Sequence, residues 1–139
     1  MYELTCLLRD HKPEYIVNFA AQSMVGQSWE TPSDWMQTNV VSTTNLFNTL
    51  RSYKQLRKYV HVTTPEVYGT THGWIKEHEN YHPSPPYAVS RAAADMSLKT
   101  FVNEYEFPAV MTRAANVYGE GQQLYRIIPR AILACLSGN

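Results

Sequence analysis

Tyr87 and Arg91 lie four residues apart, just after the run Ser84-Pro85-Pro86. On a helix that spacing puts both side chains on one face. A phenol titrates near 10 and is mostly protonated at neutral pH. A fixed cation beside it lowers that value and makes it a usable acid or base. A second set of candidates stands upstream in Thr63-Thr64-Pro65-Glu66-Val67-Tyr68-Gly69. Thr64 offers a hydroxyl that could hold a substrate hydroxyl, and Glu66 a carboxylate that could take a proton from carbon. Each residue also has a plainer reading. Glu66 alone would be a solvated loop carboxylate, Tyr87 a core aromatic and Arg91 a surface charge. The company of Thr64 and Val67-Tyr68-Gly69, and the place of Tyr87 at a helix start, favour the chemical reading.

The elements that must position these residues follow from periodicity and punctuation. Residues 2–11 read as an amphipathic helix with Leu4, Leu7 and Leu8 on one face, stopped by Pro13. Tyr15 to Ala20 is a nearly all-apolar run, expected as a strand buried on both faces. Residues 22–31 read as a loop. Thr31 is placed as N-cap and Pro32 as first residue of a helix running to about Tyr53. Lys58 to Thr63 is the next strand. A polar loop spans Pro65 to about Pro83, a helix carries to about Glu104, Ala109 to Thr112 is a third strand, and Ile127 to Leu136 a last helix. Met96, Leu98 and Phe101 are expected to pack the long helix onto the sheet. Alternating strands and helices predict a parallel sheet covered by helices. Ligands on such sheets bind beyond the carboxyl ends of the strands. The chemistry is therefore expected in the three loops that leave those ends: 21–30, 64–83 and 113–123.

Composition narrows the function classes. The chain has 139 residues, with 12 basic side chains balanced by 12 acidic ones. No basic field points to nucleic acid, and the tyrosines are read as core rather than as base-stacking platforms. No run is long and apolar enough for a membrane span. Cys6 and Cys135 are too far apart in sequence to suggest a disulfide framework, which points to a reducing cytoplasm. His72, His78 and His82, with Glu77 and Glu79, match no strong zinc spacing, so no metal is expected. Gly119-Glu120-Gly121 has Leu124 where a dinucleotide fingerprint needs a third glycine. Ser28 lacks the second glycine of a nucleophile elbow.

Several motifs, taken in order, carry a resemblance. Tyr87-x-x-x-Arg91 resembles the Tyr-x-x-x-Lys signature of short-chain dehydrogenases. Asn18-Phe19-Ala20-Ala21-Gln22-Ser23 with Ser28-Trp29-Glu30 resembles the loop after the fourth strand in sugar-nucleotide dehydratases. Thr38-Asn39-Val40, with Thr43 and Asn45-Leu46, resembles the helix that follows. Arg113-Ala114-Ala115-Asn116-Val117-Tyr118-Gly119 resembles the segment that meets the nucleotide diphosphate. The chain is thus similar to the middle of a nucleotide-sugar 4,6-dehydratase of the extended short-chain dehydrogenase/reductase, NAD-dependent epimerase/dehydratase family.

The resemblance implies an α/β fold, a partial Rossmann-type parallel sheet with flanking helices, and NAD as cofactor. Thr64, Glu66, Tyr87 and Arg91 would be catalytic. Ala20, Ala21, Gln22, Ser23, Thr38, Tyr87 and Arg91 would bind the cofactor. Thr64, Asn116 and Arg126 would bind a nucleotide-diphosphate hexose of dTDP- or UDP-glucose type. The implied reaction is oxidation at C4, loss of water across C5 and C6, and hydride return to C6. An NAD-dependent epimerase or decarboxylase, or a catalytically silent remnant, is the alternative. In dTDP-glucose 4,6-dehydratases the triplet at the strand tip is Thr-Asp-Glu, whereas here it is Thr64-Pro65-Glu66, so the C5 base is kept and the acid toward C6 is not. Arg91 stands where the family has Lys. The glycine-rich pyrophosphate turn is missing. Residues 1–139 are accordingly expected to be the central and C-terminal part of an NAD-binding Rossmann domain, a fragment lacking the glycine-rich unit and most of the substrate domain. The full-length enzyme is expected to be a homodimer.

Overall fold

Three short strands pair in parallel in the order β1 (Tyr15–Asn18), β2 (Lys58–Val62), β3 (Ala109–Thr112). Tyr15 sits opposite Lys58 and Asn18 opposite His61; Tyr59 sits opposite Ala109 and Val62 opposite Thr112. The structure, a computed structural model, describes residues 2–78 and 80–138. Helix α1 (Tyr2–His11) precedes β1. Between β1 and β2 the chain forms a 3-10 turn (Gly26–Trp29) and one continuous helical stretch. That stretch consists of α2 (Pro32–Met36), a π-helical turn (Gln37–Ser42) and α3 (Thr43–Leu50). Helix α4 (Pro86–Tyr105) joins β2 to β3, and α5 (Ile127–Ser137) follows β3. This is the expected partial Rossmann-type sheet with flanking helices.

Both crossovers step in the same direction across the sheet. Connections of one hand that step the same way place their helices on the same face. The core accordingly gathers on one side: Leu8 from α1, Phe47 and Leu50 from α3, Tyr59 from β2, Leu98 from α4, and Phe107, with Ile16, Phe101 and Met111 packed against them. The ring of Phe47 meets that of Tyr59 edge to face at 5.7 Å, an arrangement that suits the aromatic quadrupole.

On the opposite face Val60 and Val62 of β2 are half-buried, while the residues to either side are uncovered. Tyr15, Val17, Phe19 and Val110 are exposed. The expectation that β1 is buried on both faces is therefore corrected: the helices supply a cover for one face only. The strand also ends at Asn18, not Ala20, because the side chain of Asn18 turns back and accepts the Ala20 N–H at 3.0 Å.

Thr31 stands at the N-cap and Pro32 opens the helix, as expected; the Thr31 carbonyl accepts the Asp34 N–H at 3.0 Å, and its hydroxyl makes no cap hydrogen bond. Two smaller expectations are corrected. The helix ends at Leu50, short of Tyr53. Met96 is exposed; the neighbouring Asp95 and Leu98 take the inward face of α4, and Met96 points away from it.

Candidate functional site

Val62 ends β2, and Thr63 and Thr64 carry the chain over its carboxyl edge into a 3-10 turn at Pro65–Tyr68. Thr64 caps that turn: its Oγ1 accepts the Glu66 N–H at 3.2 Å. Pro65 occupies the first position, where a backbone N–H would have no partner. Gly69 closes the turn at φ 71°. A Cβ there would stand 2.3 Å from the His82 carbonyl oxygen, so backbone approach requires glycine at this position. The His82 N–H donates to the Val67 carbonyl at 3.0 Å and ties the end of the long loop to the turn.

The cap leaves Thr64 with a hydroxyl proton to donate, since its oxygen already accepts from Glu66. Thr64 is buried while Glu66 is exposed. Tyr87 is the second residue of α4 and half-buried. Its carbonyl accepts from Ser90 Oγ at 2.7 Å. Thr64, Glu66 and Tyr87 line a single cleft of about 600 Å³, together with Ser23, Asn116 and Arg126. The cleft lies beyond the carboxyl ends of β2 and β3, where the sheet pattern places it.

Other proposed residues lie outside the lining. Ala20, Ala21 and Gln22 form the loop after β1, and Thr38 sits in the π turn with its carbonyl accepting the Thr43 hydroxyl at 3.4 Å. Arg91 is buried, with one Nη donating to the Val62 carbonyl at the end of β2. Its other Nη has no hydrogen-bond partner among the described residues. Burial pushes the Arg91 pKa down, against the opposing pull of Tyr87, Asp95 and Tyr59. Arg91 is thus a buried cation linking α4 to the strand tip. The plain reading of it as a surface charge is ruled out.

Sequence reasoning gave no role to a buried polar network behind the cleft. Asp95 on α4 is fully enclosed, accepts from Thr63 Oγ1 at 3.0 Å and pairs with Arg113 at 2.8 Å. Burial pushes the Asp95 carboxyl up, while Arg113 and the Thr63 hydroxyl hold its ionised form. Burial works against the Arg113 charge, but Asp95 and the Tyr68 phenol more than offset this and raise its pKa. Arg113 also donates to the hydroxyls of Tyr68 at 3.4 Å and Tyr81 at 2.6 Å.

His61 lies deeper. Burial, reinforced by Arg91 and Arg113, lowers its pKa to about 3, so the ring is neutral. Asn18 donates to the Tyr59 hydroxyl at 2.9 Å, which leaves the Tyr59 proton for His61 Nδ1 at 3.4 Å. The ring proton is thereby assigned to Nε2, 3.7 Å from Asp95 Oδ1. A sequence signal existed: His61, Asp95 and Arg113 interrupt otherwise apolar or small-residue stretches at inward positions.

Among the described residues no group of three or more His, Cys, Asp or Glu is placed to hold a metal ion; Glu79 lies outside them. Among the same residues no helix is long and apolar enough to cross a membrane.

Residues 2–139 match the family model described as GDP-mannose 4,6 dehydratase. A dTDP-glucose 4,6-dehydratase of Xanthomonas campestris pv. campestris (strain B100) is 37% identical over 97% of this chain and 41% of its own length. The crystal structure of a double mutant of DesIV, a dTDP-glucose 4,6-dehydratase from Streptomyces venezuelae with NAD and DAU bound, superposes with a TM-score of 0.83. It is 31% identical over 97% of this chain and 42% of the other. A UDP-glucuronic acid 4-epimerase from Bacillus cereus, in complex with UDP-glucuronic acid and NAD, gives a TM-score of 0.84 at 26% identity, over 97% of this chain and 42% of the other. The chain spans about two fifths of the length of these relatives.

Proposed function

The chain belongs to the GDP-mannose 4,6 dehydratase family, and from that membership we propose that it carries the catalytic strand ends of an NAD-dependent nucleotide-sugar 4,6-dehydratase, a lyase acting on a dTDP- or UDP-linked glucose. The observation that carries this reading is the convergence of Thr64, Glu66 and Tyr87 on one cleft also lined by Asn116 and Arg126. An epimerase needs Tyr87 and Thr64 but no carboxylate at C5, so Glu66 on the cleft wall favours the dehydratase over the epimerase-type relatives.

The nicotinamide end of NAD fits the residues present. Behind Tyr87 lies the buried Arg91 with an N–H donor that no described residue accepts, and a ribose hydroxyl would satisfy it. Ser23 and Tyr87 on the cleft wall, Arg91 behind them, and the neighbouring Ala20, Ala21, Gln22 and Thr38 are the residues proposed to hold the cofactor. When bound, NAD supplies the hydride acceptor for C4 and the hydride donor for C6.

The chain's own residues supply the rest. Tyr87 takes the proton of the C4 hydroxyl. The free hydroxyl proton of Thr64 donates to the C4 oxygen and holds it as it becomes a carbonyl. That carbonyl acidifies C5, and Glu66, raised on the 3-10 turn, removes the C5 proton. The C6 hydroxyl leaves as water; Pro65 carries no proton for it, so solvent in the open cleft supplies it, and the protonated Glu66 gives a proton back to C5 when C6 is reduced. Asn116 and Arg126 face the diphosphate, Arg126 as a cation suited to its charge.

Residues 1–139 are read as the central and C-terminal part of the cofactor domain, working in the cytoplasm within a homodimeric full-length enzyme. The test is incubation of the full-length protein with NAD and, separately, dTDP-glucose, UDP-glucose and GDP-mannose. A product lighter by one water, with a 4-keto group, from the first or second substrate supports the reading. A stereoisomer of unchanged mass from any of them overturns it in favour of an epimerase.

A further inference from the structure

Glu66 stands on a turn that the rest of the molecule grips at both ends. Thr63 precedes the turn and donates to Asp95 at 3.0 Å. Tyr68 ends it, accepts from Arg113 at 3.4 Å and stacks with the guanidinium at 5.6 Å from its ring centroid. Asp95 and Arg113 are themselves joined at 2.8 Å. The two grips are therefore one object, an ion pair whose carboxylate holds the start of the turn and whose guanidinium holds its end.

The same pair reaches the other walls of the cleft. Asp95 shares helix α4 with Tyr87. Arg113 is the residue after β3 and leads directly into the Ala114–Asn116 stretch of the lining. Its second donor holds Tyr81 at 2.6 Å, in the loop whose His82 returns to Val67. The carboxylate is fully enclosed and the guanidinium nearly so, at 12% side-chain exposure. A pair this dry keeps its geometry, because breaking it strands a buried charge.

We propose that the Asp95–Arg113 ion pair is a positioning device that sets Glu66 against Tyr87, so that oxidation and proton removal act on one bound sugar. Neither residue lines the cleft; Asp95 acts through Thr63 and through helix α4, which it shares with Tyr87, and Arg113 acts through Tyr68. Arg113 is needed as arginine, because one planar fork must reach a carboxylate and two phenols at once and a lysine ammonium cannot. The inference rests on the reading of Glu66 as the C5 base.

Arg113→Lys and Asp95→Asn in the full-length protein test it by two independent readouts. The first needs no ligand: hydrogen exchange of the Glu66, Gly69 and His82 amides, all hydrogen-bonded within or onto the turn. Exchange there is expected to quicken about tenfold while the amides of β2 keep their rates. The second is turnover of nucleotide sugar in deuterated water. Deuterium entry at C5 is expected to fall about 100-fold, with KM within about threefold, as for a base displaced by a fraction of an ångström to an ångström. Thr63→Val, which leaves the ion pair whole, should show smaller changes of the same sign.

Unchanged exchange at all three amides in folded variants overturns the proposal, as does a loss carried wholly by KM. Should the charge variants fail to fold, Thr63→Val and Tyr68→Phe decide it, and unchanged exchange in both overturns it. If the unaltered protein proves inert toward nucleotide sugars, the reaction assigned above is wrong, and the exchange rates alone still judge the positioning role.

Discussion

Asn39 holds Gln22 by both polar groups of its backbone: Oδ1 accepts the Gln22 N–H at 2.8 Å and Nδ2 donates to the Gln22 carbonyl at 3.0 Å. The same Nδ2 donates to Ser90 Oγ at 2.9 Å, and Ser90 donates to the Tyr87 carbonyl at 2.7 Å. The loop after β1 and the start of α4 are thus fastened through one enclosed amide. Asn39 lies in the π-helical turn, whose extra residue widens the helix at this point. Replacing it with Ala strands buried donors and acceptors and should destabilise the protein by about 3 kcal/mol in urea unfolding. Asn39→Asp should be no better, because it aims an oxygen at the Gln22 carbonyl. A loss well under about 1 kcal/mol for Asn39→Ala would show that water replaces the clamp.

The proposed mechanism gives separate steps to Glu66 and Tyr87, which line one cleft. Glu66→Gln keeps the shape and removes the base, and a placed base typically contributes roughly 10²–10⁴-fold. The full-length variant should still develop nicotinamide absorbance on meeting substrate while the 4-keto-6-deoxy product nearly vanishes. Tyr87→Phe should abolish both signals. Loss of the absorbance signal in Glu66→Gln, with substrate still bound, would contradict the assignment.

His61 makes stability depend on pH in a definite direction. In the unfolded chain it takes a proton below about 6.5, whereas in the fold burial keeps it neutral down to about 3. Between those values the unfolded state binds the extra proton, so stability falls as pH falls, by about 1 kcal/mol per pH unit. Asp95, whose carboxyl burial pushes up, acts in the opposite sense in acid. His61→Asn isolates the histidine contribution: the drop in urea midpoint from pH 7 to pH 5 should shrink markedly. At the alkaline end Tyr59 is pushed up from 10.0 to about 12, chiefly by burial. The unfolded chain there loses its proton first, and stability should fall again above about pH 10. An equal acid slope in the His61→Asn variant would count against a neutral buried ring.

The uncovered face of the sheet, with Tyr15, Val17, Phe19 and Val110 exposed, is a surface that apolar contact would bury. The 139-residue chain expressed alone should therefore associate. Light scattering should report species larger than a monomer, and Val17→Lys should shift them toward monomer. A monodisperse monomer with a cooperative melt would show that the face tolerates water.

The sequence revealed the order of elements because its punctuation is strong. Pro13, Pro32 and Pro86 each border an element, and Ala109 to Thr112 forms the strand that its composition predicts. The cleft residues were readable for the same reason: Thr64, Glu66 and Tyr87 follow a strand end or a helix start, and parallel sheets deliver such positions to one edge. What stayed hidden depends on partners distant in sequence. The one-sided cover of β1 follows from where two helices land, which the apolar run Tyr15 to Ala20 does not encode. The roles of Asn39, Asp95 and Arg113 exist only once α4, β3 and the π turn meet. Periodicity also misplaced Met96, since α4 turns small and polar residues, Ser90, Arg91 and Asp95, toward the interior.

The stitch between Val67 and His82 has a consequence for how this region can change. The polypeptide departs at Gly69 and returns to nearly the same point, where His82 leaves no space for a side chain on the glycine. From Thr70 to Lys76 it runs through solvent, with Trp74 wholly bare. Beyond it the chain is fastened again, His78 and Tyr81 meeting the Tyr68 ring at 4.6 and 5.7 Å, so a change confined to residues 70–76 alters an appendix with both ends held. An epitope or a reporter dye installed there is expected to leave the turn that carries Glu66 in place.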